Sequence, residues 1–584
     1  MKRSRHPGID ALAIIGLTDT VMSIRAASQP IPHLPSGDNG KAGMRARLRK
    51  LIWCVGFFCA WSGVAGATDQ VVSTCTEAVF KTAFTAVNTG SGGTITFSCP
   101  SIATIPLTGV APANYYVDNG VTMVIDGGNK ITFDGANTYA FFQIYGGGNL
   151  TLKNLTLTRG QSNATHPIES LGGGITLDHV TASNNNAKTS VLYSMGTTFI
   201  TNSSFSHNSI VNAVNSIDYA GAAVRNDGGT LTISLSTFDH NTIKTSGTTI
   251  TFPGNGGAIS NESNGLLYIN SSTFTANSAF DGGAIRGDST SAGKMHIKTS
   301  TFASNTAVYG GAIENFGNEL KLDNDQFNTN SASNIGGALW SEGGLAFLNG
   351  SEFIGNTAAN TGGAIHCDGN NIYVNTSTFS GNTSNVPNVS FVNHGGAIYT
   401  ACYTVITNST FYNNSALGSE GGAIYFSGSM FAGMYHATIV ANQAAEGAAI
   451  SSNNTSGISP NLGPQLSSSI FSGNTHGHSC SGGPYKSVGY SLADDQDCGI
   501  LDDATDNPNV ALPMGAFVNN GGPTRTLLPP AIATNTIPLA QCSFNTDQRG
   551  ALRKPTPPGG KCDSGAVEVG GVIDEIFADA FELP

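Results

Sequence analysis

A four-residue marker recurs through the centre of this 584-residue chain and restricts its architecture more than any other feature. Gly-Gly-Ala-Ile stands at 282–285, 310–313 and 362–365, and Gly-Gly-Ala-Leu at 336–339. Each copy is followed by a phenylalanine, Phe302, Phe327, Phe353 or Phe379, with an asparagine three residues further on. The first glycines are 28, 26 and 26 residues apart, and the phenylalanines 25, 26 and 26. Two markers on one period mean stacked repeats, because each unit buries its apolar face only against its neighbour. Such a solenoid escapes the size limit of a single core.

Aligning the phenylalanine extends the register. The row reads Leu157, Val180, Phe205, Phe238, Phe274, Phe302, Phe327, Phe353, Phe379, Phe411, Ile439 and Phe471. A second apolar row lies five residues earlier, for example at Ile200, Ile297 and Leu322. Asparagines follow the first row from Asn208 to Asn474, and the glycine set starts at Gly172 and runs to Gly447. Strands this short, broken by Gly and Asn, cannot be helices, and no 3.6-residue period is present between 121 and 475. Charged residues make up 11% of the chain, against about 25% in an ordinary soluble domain. The fold class that follows is all-β, a right-handed parallel β-helix with an N-terminal cap and an irregular C-terminal cap or anchor region. Each repeat lays down about three strands that pair with their equivalents about 4.8 Å away, giving a rod of roughly 65 Å. Phe and Ile fill the interior, the Asn amides bond along the axis, and Gly-Gly permits a corner with positive φ.

The chain divides at 1–43, a polar segment ahead of the working initiator Met44; 44–67, a signal peptide; 68–120, the N-terminal cap; 121–475, the repeats; and 476–584, the C-terminal region. The signal has a basic start at Met44–Lys50, an apolar stretch at Leu51–Trp61 and the small-residue cleavage site Ala65-Gly-Ala67. The apolar stretch is shorter than the roughly 20 residues a membrane span needs. From Thr68 onward the chain holds 17 basic and 35 acidic residues, a net charge of −18. That balance opposes nucleic acid as a partner. Eight cysteines remain, and in an exported chain an even number argues for disulfides. The economical pairing is sequential: Cys75–Cys99, Cys367–Cys402, Cys480–Cys498 and Cys542–Cys562.

The pattern Gly-Gly-Ala-Ile followed by Ser-Thr-Phe-x-x-Asn-x-Ala resembles the repeats of polymorphic outer-membrane proteins of bacterial surfaces, over about 170–475. After the repeats, Asn519–Thr526, Asp547–Gly550 and Cys562–Glu568 resemble the choice-of-anchor Q type of domain, and Ile576–Glu582 is similar to a short tail of exported Gram-negative proteins. The resemblance implies an exported protein at the cell surface or outer membrane of a Gram-negative bacterium. It implies no activity.

The residue after each Gly-Gly-Ala-Ile points outward if the Ile points inward. That row includes Arg225, Ser260, Arg286, Glu314, Trp340, His366, Tyr399, Tyr425 and Ser451. Trp340, His366, Tyr399 and Tyr425 form the candidate ligand strip, with aromatic rings able to stack on sugars. Asp281, Asp288, Glu314, Glu342 and Asp368 read as isolated, solvated acids, too dispersed for a calcium site that needs six to eight oxygens. Asp494, Asp495, Asp497, Asp502, Asp503 and Asp506 cluster without calcium-loop spacing. His476 and His478 read as solvated, and no Ser/His/Asp grouping is present. No catalytic, metal or cofactor residue is expected. The expected function is a non-enzymatic surface scaffold of adhesin type, with cell-surface glycans or host and neighbouring surface proteins as partners. The alternative is a polysaccharide-binding or lyase-like protein on the same fold.

Overall fold

One coil shows how the chain is built. Ile313–Phe316 lies on the first face, Glu319–Asp323 and Gln326–Asn328 on the second, and Ser331–Ile335 on the third. The second face bends at Asn324 (φ 58°), and Thr329 (φ 53°) turns the chain to the third. Each strand pairs in parallel with its equivalent one coil away, as Phe327 does with Phe302 and Phe353. The first face is a 14-stranded sheet running from Tyr115–Val117 to Cys480–Gly482. The result is a parallel β-helix of about 14 turns. The computed structural model describes residues 67–572 apart from 109–114, 162–165, 212–219, 245–253, 291, 370, 385–393, 429, 454–462, 499–502 and 554–559. The leader before residue 67 and the tail at 576–582 lie outside the described residues.

Alternation sends every second side chain inward. Leu320, Leu322 and Phe327 are fully buried. From Phe205 to Phe411 eight phenylalanines stack on one another, centroids 4.6–5.1 Å apart and within 5° of parallel. Beside them runs a buried amide ladder from Asn185 to Asn474. Each rung satisfies backbone groups that a turn leaves open. At the Gly-Gly corner Gly282 has φ 59°, and a Cβ on Gly283 would overlap the carbonyl oxygen of Gly311. Glycine is required there on both counts.

Two register assignments change. The inward row runs Leu157, Ala182, Phe205, and Val180 pairs with Leu155 instead. The Asn ladder therefore begins one coil earlier than the sequence row, at Asn185. Gly172 belongs to a different corner, because the first-face strand of that coil is Ile168–Leu171, ahead of it. In both cases the early coils lack the Phe and Gly-Gly-Ala markers that fix the register further on.

The open N-terminal end is covered by a helix, Glu77–Thr89. It buries Phe80, Ala83, Phe84 and Val87, the i, i+3, i+4, i+7 stripe of an amphipathic helix. Phe80 packs 4.8 Å from Phe133 and 4.9 Å from Tyr115. Disulfides join Cys75 to Cys99, Cys367 to Cys402, Cys480 to Cys498 and Cys542 to Cys562. A last coil is laid by Cys480–Gly482, Lys486–Ser487 and Leu492–Ala493. Leu512 and Ala533 then pack on Ile470 and Leu492.

The segment after residue 515 turns back along the outside of the second face. Arg525 pairs with Glu352, Gln548 bonds Thr378 and Thr410, and the N–H of Ala566 donates to Thr438. Arg553 is fully buried, donating to Asn408 and to the carbonyl of Gly565. The residues that resemble an anchor domain are thus spent on holding this strap to four successive coils. Among the described residues no helix is long and apolar enough to cross a membrane.

Candidate functional site

The row after Gly-Gly-Ala-Ile forms one continuous ladder on the outer side of the first face. Its central rungs are Arg286, Glu314, Trp340, His366, Tyr399, Tyr425 and Ser451. The row points away from the core, yet His366 and Tyr425 are only 6% and 4% exposed. The cause is the residue ahead of each Gly-Gly, which turns across the ladder. Tyr309 lies 4.9 Å from Trp340, Thr361 bonds His366 at 2.7 Å, His394 stacks 3.8 Å from Tyr425, and Glu420 accepts from Ser451 at 2.8 Å. On the other flank, Asp288 and Asp368 bond Arg286 and His366.

Three members of the candidate strip, His366, Tyr399 and Tyr425, form a stack whose rings face one another, while Trp340 is tilted 37° against Tyr309. His366 and Tyr399 lie 4.5 Å apart at 7°, Tyr399 and Tyr425 5.6 Å apart at 9°. The π faces that would meet a sugar are directed along the axis at the next ring, which leaves edges toward solvent. Two further stacked pairs, unread in the sequence, lie on the outer second face: Phe347 with Tyr373 and Tyr403 with Phe431, centroids 5.1 Å apart in each, with Tyr373 and Tyr403 tilted at 51° between them. These rings are half-buried; Phe347 and Tyr373 stand six residues before Phe353 and Phe379, whereas Tyr403 and Phe431 stand eight before Phe411 and Ile439, so no single spacing announced them.

The acids near 281–314 are not isolated, which corrects the sequence reading. Arg286 bonds Asp288 at 2.9 Å and Glu314 at 3.3 Å, and Asp281 acts on the same charges. Glu314 is 3% exposed. Burial, with Asp281 beside it, holds the Glu314 carboxyl well above the ordinary range, and burial also raises Asp281. One guanidinium is shared among three buried or half-buried carboxylates, so Glu314 and Asp281 take up a proton more readily than exposed acids do. Residues on two adjacent coils and three rows build it, a juxtaposition only the register reveals.

Thr361, His366 and Asp368 form a hydroxyl–imidazole–carboxylate chain, with both bonds 2.7 Å, which the sequence reading did not contain. The His366 bond holds the Asp368 carboxyl below its ordinary range. Acyl transfer needs free N–H donors beside such a chain, and among the described residues the nearby ones are engaged. The N–H groups of Gly362 and Gly363 already donate to the carbonyls of His394 and Gly395.

The other candidates serve structure. Asp494 accepts from the N–H of Gly473, Asp503 from that of Thr505, and Asp506 from that of Ser491. These carboxylates hold separate turns rather than converge, and Asp502 lies outside the described residues. His478 is exposed beside Asp497, 3.3 Å away. Glu342 is half-buried, on the rung between Phe316 and Asp368.

Residues 350–368, 376–401 and 408–427 match the Chlamydia polymorphic membrane protein repeat. These are three consecutive coils carrying the Phe353, Phe379 and Phe411 rungs. No curated protein matches the chain.

Proposed function

We propose that this chain is an exported, surface-displayed β-helix scaffold of adhesin type that works by binding and not by catalysis. The observation that carries the reading is the outer ladder itself. Arg286 is engaged by acids of its own cluster, His366, Tyr399 and Tyr425 stack on one another, and the N–H groups of Gly362 and Gly363 beside the hydroxyl–imidazole chain are already engaged. Chemistry directed at a neighbour is not directed at a substrate. The match to polymorphic membrane protein repeats supports the surface location. Cleavage after Ala67 delivers the chain from Thr68, with 68–120 as cap, 121–475 as repeats and 476–584 as C-terminal cap or anchor. Its partners are surface glycans or surface proteins of a host or neighbouring cell. The test is proteinase treatment of intact Gram-negative cells producing the chain, followed by adhesion of purified 68–584 to cell and glycan surfaces. Loss of the protein from intact cells and saturable adhesion are expected. Protection from the proteinase in intact cells, with digestion after lysis, overturns the location.

The second reading is a polysaccharide-active protein, favoured by one observation: Asp281, Arg286, Asp288 and Glu314 gather on one outer surface, with the Glu314 carboxyl raised by burial. Release of oligosaccharides from a polysaccharide panel supports that reading.

A further inference from the structure

Two histidines stand in the same place on successive coils. His207 and His240 both occupy the left-handed turn between the second and third faces, with φ 55° and 51°. Their rings are parallel within 4° and 5.0 Å apart. Asp239, half-buried, places its carboxylate 2.8 Å from Nδ1 of His240. One ligand atom from each of the three lies within 4.8 Å of the others, and both histidines are exposed.

Hydrogen bonds between coils fix the backbone beneath. Immediately after each histidine comes a rung of the buried amide ladder, where Asn208 Nδ2 donates to Asn241 Oδ1 at 2.9 Å. The N–H of His207 itself donates to the carbonyl of Asp239 at 2.9 Å. The two imidazoles are therefore held one rung apart by the fold, while their exposed side chains keep rotational freedom. A tetrahedral zinc ion takes imidazole nitrogens at about 2.0–2.1 Å and carboxylate oxygen at about 2.0–2.2 Å. The two nitrogens must then close to roughly 3.4 Å, a tilt of exposed rings and not a backbone movement. The donors are two imidazoles and a carboxylate, a set that suits zinc, copper or nickel over magnesium or calcium. A chain of net charge −18 from Thr68 onward draws cations toward it.

We propose that His207, Asp239 and His240 bind a divalent transition-metal ion on the outside of the β-helix, with water completing the coordination. The site clips two adjacent coils, so the metal adds a crosslink at the turn. The residues at the same turn on the flanking coils, Asn184 and Ala276, offer no imidazole, so the row holds a single such site.

A built-in control exists. His179 bonds Asp178 through Nδ1 at 2.7 Å in the same manner, but its neighbours at that bend are Asn154 and Asn202. The experiment is isothermal titration of Zn²⁺ into untagged, disulfide-intact 68–584, with Mg²⁺ as a comparison ion. One equivalent of zinc is expected to bind, with no magnesium heat. His207→Ala and His240→Ala should each weaken zinc binding by at least about tenfold, Asp239→Asn should weaken it, and His179→Ala should leave it unchanged. Zinc should also raise the thermal midpoint of the native chain and not that of the His207→Ala/His240→Ala double variant. Absence of saturable zinc binding, or equal affinity in the double variant, overturns the proposal.

Discussion

Asn330 Nδ2 donates to Oδ1 of Asn356 at 3.0 Å, and the backbone N–H of Asn330 donates to the same oxygen at 2.9 Å. Asn330 also receives both equivalent bonds from Asn305 and donates to the carbonyl of Phe302. One buried amide thus serves three coils. Asn330→Ala strands the Phe302 carbonyl and the Asn305 donors, each unpaired buried group costing about 1–3 kcal/mol. A total loss of about 2–5 kcal/mol is expected in urea unfolding. Because a coil contacts only its neighbours, amide exchange should quicken around 300–360 before it does near 180 or 440.

Glu314 makes the stability of the coils around it depend on pH. Burial pushes its carboxyl up to about 8 in the folded chain, well above the ordinary range of an exposed glutamate. A folded state that holds its proton longer than the unfolded one is favoured at low pH, so this contribution falls as pH rises from about 4.5 to 8. Glu314→Gln removes the titration while keeping an oxygen for Arg286. The variant should show a flatter unfolding midpoint between pH 5 and 8 than the native chain. An unchanged slope would mean that Glu314 is ionised throughout.

Gln548 ties the C-terminal strap to two coils. Its Nε2 reaches Thr378 Oγ1 at 2.8 Å, and Thr410 Oγ1 donates to its Oε1 at 2.6 Å. Thr378 and Thr410 are fully buried beneath it. Gln548→Ala should cost about 2–4 kcal/mol and quicken exchange at 376–380 and 408–412. Limited proteolysis should then cut within 515–553 faster than in the native chain.

The core was legible because a solenoid repeats its packing. The spacing from Phe302 to Phe379 carried the stacked ring row, and Asn305 to Asn382 carried the amide ladder. What escaped had no period. The helix at Glu77–Thr89 occurs once, although Phe80, Phe84 and Val87 hold its spacing. The strap joins residues 128–173 positions apart in sequence, such as Ala566 to Thr438 and Arg525 to Glu352. The candidate strip follows from strand alternation, but its burial depends on the residues ahead of each Gly-Gly. Tyr309, Thr361, His394 and Glu420 share no chemistry, so no row announced them. Their side chains decide whether the ladder is open to a ligand.

The most direct test is a polysaccharide-degradation screen on 68–584 across neutral, acidic and amino-sugar polymers, with Arg286→Ala and Glu314→Gln run in parallel. No release of reducing ends or unsaturated products is expected from any polymer, because the ladder's reactive groups are engaged with one another. Product release by the native chain that disappears in Arg286→Ala or Glu314→Gln, both still folded, would contradict this and make the buried ion cluster an active centre.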